Sequence, residues 1–208
     1  NAGSTTAAAG NVSFGPVNST GGGQFLQSLV ANADGTADGT VTPGGNISVD
    51  GGAVTLDGLI RLTASRTIDT EQGDDGNGGA VNLAVTSGDV SATAANVDLT
   101  VDSSTGFATG SGGNVALGAF TNSGTQYVND VAITSTGAAG NGTLTLHGNV
   151  SLDAGADAAS FSFNGGGANV IVSNTLTIDT EQGNDAAGGD ISLGTGNVSA
   201  DATGFTLT

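Results

Sequence analysis

Apolar and polar residues alternate along much of the chain. Val81, Leu83 and Val85 share one parity, Val90, Ala92 and Ala94 the next, and Val97, Leu99 and Val101 a third. Each run is short and bounded by Gly, Asn, Asp or Ser. Such runs predict half-buried strands, because successive side chains of an extended chain point to opposite faces. No window carries an apolar stripe at helical spacing, and Gly with β-branched residues disfavours a helix.

The strands recur in order. A pattern of Gly, a small or polar residue, an aliphatic residue, any residue and an apolar residue appears six times at near-regular spacing. It begins at Gly10, Gly45, Gly79, Gly113, Gly148 and Gly189, with intervals of 35, 34, 34, 35 and 41 residues. A longer repeat lies over it: Thr67-Ile68-Asp69-Thr70-Glu71-Gln72-Gly73 returns letter for letter from Thr177 to Gly183. Gly10 maps to Gly113 and Gly45 to Gly148, which divides the chain into tandem copies, residues 1–103 and 104–208. Three strands per unit of about 34 residues is what one coil of a parallel β-solenoid needs. The reading is all-β: a continuous solenoid of about six coils, apolar ladders inside and Ser, Thr and Asn outside. An antiparallel β-sandwich is the competing fold, since it too is built from many short strands joined by turns.

The residues that carry the repeat also carry a resemblance. Strands such as Gly148-Asn149-Val150-Ser151-Leu152, the turn Gly194-Thr195-Gly196-Asn197-Val198 and the duplicated Thr-Ile-Asp-Thr-Glu-Gln-Gly resemble repeat regions of filamentous-haemagglutinin-type secreted adhesins. The resemblance runs over nearly the whole chain. It implies a right-handed parallel β-helix serving as the shaft of a long bacterial surface protein, a functional expectation by analogy.

Composition narrows the function classes. The 208 residues include 38 Gly but no Trp, Met or Cys, so burial rests on thin layers of Val, Ile, Leu, Ala and Phe. Seventeen Asp and two Glu face only Arg61 and Arg66, a net charge of -17. That excludes a nucleic-acid binder, which needs clustered Lys or Arg, and argues against docking on anionic lipid. No stretch reaches the ~20 apolar residues of a membrane span. A cysteine-free chain has no disulfide framework and no thiolate chemistry. A lysine-free, Asp/Thr/Gly-rich composition is associated with extracellular or cell-surface proteins.

Catalysis has little support. His147 and Tyr127 are the sole residues of their kinds, and no Gly-x-Ser-x-Gly elbow accompanies them, so no enzyme is expected. Ion binding is the better chemical reading. Asp69, Glu71, Asp74, Asp75 and Asn77 crowd one Gly-rich loop, and Asp179, Glu181, Asn184 and Asp185 crowd its copy. Ca²⁺ takes about six to eight oxygens from carboxylates, amides and carbonyls, which such loops can turn inward. Both glutamates of the chain fall at equivalent points of these loops. Asn77 becomes Ala187, which weakens the second site, and neither loop has EF-hand spacing.

Thr-x-Thr pairs at Thr143/Thr145, Thr175/Thr177 and Thr206/Thr208 would suit an ice-binding face if they recurred in register, but they are scattered. Asn-x-Ser/Thr sequons begin at Asn11, Asn18, Asn46, Asn141, Asn149 and Asn197, most of them within the strand motif. The expectation is a structural and interaction protein, a segment of an extracellular bacterial filament or adhesin. Its rivals are a pilin-like subunit joined by strand exchange and a solenoid ice-binding or carbohydrate-active protein. Gly204–Thr208 aligns with Asn96–Thr100, and Asn1 falls opposite Ser104, so a further copy would continue the repeat almost in phase. Head-to-tail stacking of the chain on itself is therefore expected, with a host surface or matrix carbohydrate as a further partner.

Overall fold

A computed structural model describes residues 8–18, 24–122, 126–155, 157–183 and 186–208. Among these no residue is helical, and no helix long and apolar enough to cross a membrane occurs. The chain winds into a β-solenoid of about six turns. Its strands begin with β1 (Val12–Phe14), β2 (Leu29–Asn32), β3 (Thr40–Pro43) and β4 (Ile47–Ser48). Next come β5 (Val54–Leu62), β6 (Arg66–Asp69), β7 (Val81–Ala92), β8 (Leu99–Asp102), β9 (Val115–Leu117) and β10 (Ala119–Phe120). The second half holds β11 (Val131–Thr134), β12 (Leu144–Leu146), β13 (Val150–Ser151) and β14 (Phe161–Asn164). It closes with β15 (Val170–Val172), β16 (Ile178–Asp179), β17 (Ile191–Ser192) and β18 (Val198–Ala200).

All pairings between these strands are parallel, which settles the solenoid over the antiparallel sandwich. The coil has three faces. On the first, Val12, Val41, Ile60, Val90, Phe120, Val150 and Ile178 stack in register. On the second stand Val17, Ile47, Ile68, Val101, Ile133 and Phe163. On the third stand Leu29, Val54, Val81, Val115, Leu144, Val170 and Val198. These three columns are the core the alternation predicts, and most of their members are fully buried. The first and third faces join into one sheet because β5 and β7 run through the corner between them, with a register break after Leu56.

The stacking shows how the short motif relates to the coil. Most neighbours in a column stand closer along the chain than the motif interval: Val90, Phe120 and Val150 lie 30 residues apart. The motif therefore drifts around the prism. Val12 opens on the first face, Ile47 on the second, Val81 and Val115 on the third, and Val150 on the first again.

The longer repeat drifts too. From Val41 the chain visits Ile47, Val54, Ile60, Ile68, Val81, Val90, Val101, Val115, Phe120, Ile133 and Leu144, moving one face at each of eleven steps. Leu144 is the counterpart of Val41 in the second copy, yet it lies on a different face. Likewise Ile47 stacks on Ile68 on the second face, whereas their counterparts Val150 and Ile178 stack on the first. Local neighbours are preserved and the face is not. The second copy is turned by one face relative to the first.

Glycine marks the approach to the third face. A Cβ on Gly113 would stand 2.0 Å from the Gly79 carbonyl oxygen, and one on Gly142 1.9 Å from that of Gly113. The preceding coil fills the space a side chain would need. Buried hydroxyls close the same corner. Ser103 and Ser135 donate to the Gly113 carbonyl at 3.0 and 2.6 Å.

Candidate functional site

The loop between β6 and β7 carries the acidic run of the first copy. Its ends are pinned by Thr70, whose buried hydroxyl donates to the Gly79 carbonyl and accepts the Gly79 N–H, each at 3.0 Å. Thr180 repeats the donation to the Gly189 carbonyl at 3.1 Å in the second copy. Asp69 Oδ1 accepts the Glu71 N–H at 3.0 Å, and Gln72 Nε2 donates to Asp69 Oδ2. Asp179 accepts from Glu181 N and Gln182 Nε2 in the same way. The seven-residue identity is thus a turn: an Asx cap, a hydroxyl pin and a glutamine brace.

That geometry sorts the acidic residues of the loop. Asp69 has both oxygens in the turn and borders a polar groove shared with Asp74, Asp102 and Ser104. Burial pushes its carboxyl above the ordinary value, with the neighbouring Asp102 and Asp74 charges adding to the shift against the Glu71 N–H and Gln72 bonds. Asp74 reaches the next coil, its Oδ1 accepting the Gly106 N–H at 2.6 Å. Asn77 does the same through Oδ1 to the Ser111 N–H at 2.9 Å. A third tie runs from Thr105 Oγ1 to the Gly76 carbonyl at 2.8 Å. Asp74 and Asn77 thus fasten the loop to the coil that follows.

Glu71 borders the same groove, and its carboxylate also meets Asp75 and Asp50 of the preceding coil. The carboxylates of Asp50, Glu71 and Asp75 each offer an oxygen within 4.8 Å of the others. Asp50 and Glu71 are brought together by an antiparallel bridge, the Gly51 N–H donating to the Thr70 carbonyl at 2.8 Å. Glu71 is only 5% exposed. Its Oε1 accepts the Asp75 N–H at 3.1 Å, while its buried Oε2 has no hydrogen-bond partner among the described residues. Glycines wall Oε2: a Cβ on Gly51 or on Gly76 would lie 3.3 Å from it. Gly51 has φ +75, and the carbonyl oxygen of Asn77 lies 3.4 Å from the same Cβ position.

Sequence reading names Glu71 and Asp75 here and misses Asp50. The signal was present, because Asp50 recurs as Asp153 at the offset that carries Gly45 to Gly148. In the second copy Asp153 Oδ1 accepts the Gly155 N–H at 2.7 Å, Glu181 is half-buried, and Asn184 and Asp185 lie outside the described residues. Ala154, Ala186 and Ala187 stand where the first copy has Gly51, Gly76 and Asn77.

Elsewhere, His147 follows β12, half-buried, with its N–H donating to the Leu117 carbonyl at 2.8 Å. Thr145 stacks between Ala116 and Ile171, so its Thr-x-Thr pair starts no threonine ladder. Comparison with protein-family models, curated proteins and solved structures gives no match.

Proposed function

We propose that the chain is a structural repeat segment of an extracellular bacterial filament or adhesin, resembling the shafts of filamentous-haemagglutinin-type proteins. Its role is mechanical rather than catalytic. The observation that carries the reading is the unbroken register of the three apolar columns through both copies. Bonds between coils about 4.8 Å apart run along the axis, so tension is shared by every backbone ladder at once. Few large side chains interrupt the surface, and a charge of -17 keeps neighbouring rods apart.

Further solenoid coils are the partner this reading requires. At one end β17 and β18 pair on one side alone among the described residues, and Ile191 and Val198 are each 48% exposed there. At the other end β1 and β2 each have one strand neighbour among the described residues. Edges of this kind template added strands, and a head-to-tail contact does not close on itself. Negative-stain imaging of native material tests the reading. Rods longer than one copy, a single coil in width, are the expected result, and discrete particles at all concentrations would overturn it.

A further inference from the structure

We propose that Asp50, Glu71 and Asp75 hold one Ca²⁺ that locks the second coil of the solenoid to the third. A carboxylate oxygen buried without a hydrogen bond is costly, and burial of such a charge is stable when another charge or a metal meets it. Glu71 Oε2 is such an oxygen, in a residue 5% exposed, and the carboxylates of Asp50 and Asp75 stand beside the Glu71 carboxylate. Three like charges at this separation repel one another unless a cation sits between them.

The geometry suits calcium. Oxygens on opposite sides of a Ca²⁺ at about 2.4 Å stand about 4.8 Å apart, the span within which these three carboxylates fall. The donors are hard oxygens with no nitrogen or sulfur among them, which selects against zinc and copper. The Asn77 carbonyl flanks the same glycine wall and supplies a further oxygen. Asp50 is half-buried and Asp75 exposed, which leaves room for water in the remaining positions. Mg²⁺ is usually held by one or two carboxylates and keeps several waters, so three protein carboxylates favour Ca²⁺.

The glycine cradle restricts the site to the first copy. Ala154 and Ala186 carry methyl groups where Gly51 and Gly76 leave space beside Oε2. Asp153, the counterpart of Asp50, has an oxygen committed to the Gly155 N–H. One ion per chain, in the first copy, is therefore the expectation, although the three carboxylates recur in sequence.

Titration of the chelator-treated full chain with calcium chloride, read by calorimetry and by the melting temperature, tests this. The expected result is saturation at about one Ca²⁺ per chain with a melting temperature several degrees higher. Glu71→Gln abolishes the binding and Glu181→Gln leaves it unchanged. If Glu71→Gln does not fold, Asp75→Asn decides, because Asp75 lies on the exposed side of the loop; it should weaken binding at least tenfold. Absence of saturable binding, two equivalent sites, binding that survives both first-copy variants, or tighter binding of magnesium chloride would each overturn the proposal. It stands apart from the shaft reading, which imaging without calcium tests separately.

Discussion

Asn114 Oδ1 accepts the backbone N–H of Thr143 in the next coil at 2.9 Å. The contact recurs wherever the strand motif places Asn before an aliphatic residue. Asn11 meets Thr40 at 2.8 Å, Asn46 meets Thr67 at 3.1 Å, and Asn149 meets Thr177 at 3.0 Å. Asp130 substitutes for Asn and accepts the Ser160 N–H at 2.7 Å. Each clamp satisfies the N–H at the mouth of a strand, where the ladder has not yet begun. The second residue of the motif is therefore a coil-to-coil tie, whichever face it lands on.

Removing one clamp should have a measurable effect. Asn114→Ala leaves the half-buried Thr143 N–H without its acceptor and should cost about 1 kcal/mol in urea unfolding. Asn114→Asp keeps an acceptor oxygen and should recover more than half of that. Equal losses in the two variants would show that the bond contributes nothing.

The glycine column makes a sharper contrast. Gly113→Ala drives a methyl against the Gly79 carbonyl, a backbone atom that cannot rotate away. A loss of more than about 3 kcal/mol, or failure to fold, is expected. Gly15→Ala meets nothing within 4 Å and should stay within about 1 kcal/mol of the parent. Circular dichroism melts of the two variants check the pair.

Phe161 is fully buried and stacks between Val131 and Ile191. Phe161→Ala opens a cavity that neighbouring coils cannot collapse without breaking register, for an expected loss of about 3–5 kcal/mol. Phe161→Leu should lose about half of that or less, because the column keeps most of its volume. Denaturant midpoints distinguish the two.

Ile191→Lys with Val198→Lys places charge on half-exposed edge residues whose strands have one neighbour each among the described residues. Folding of the single chain should change little. Under the shaft reading, assembly should fall, seen by light scattering as a shift toward the 19.6 kDa single chain. An unchanged mass distribution would place the contact elsewhere.

With 19 acidic and two basic side chains, repulsion opposes the compact state. Raising sodium chloride from low to physiological concentration should raise the melting temperature of the chelator-treated chain, since exposed charges are screened within about 10 Å. A flat response would show that repulsion among the carboxylates does not limit the stability of the fold.

The alternation of Val81 with Leu83 and of Leu99 with Val101 was enough to predict strands and an apolar interior. Side-chain parity is a property of the extended chain and needs no partner. The duplicated Thr67–Gly73 segment likewise announced a loop that folds the same way twice, because its Asp, Thr and Gln bond within a few residues of one another. Stacking partners were another matter. The loops between strands differ in length, so Ile47 lands on Ile68 but Val81 lands on Val115, at intervals no single period describes. Only winding the chain into coils decided that the second copy turns by one face, and that Asp50 meets the Glu71 carboxylate while Asp69, two residues from Glu71, caps its backbone N–H. Contacts across coils depend on how many residues each turn consumes, and that number is fixed by packing along the whole stack.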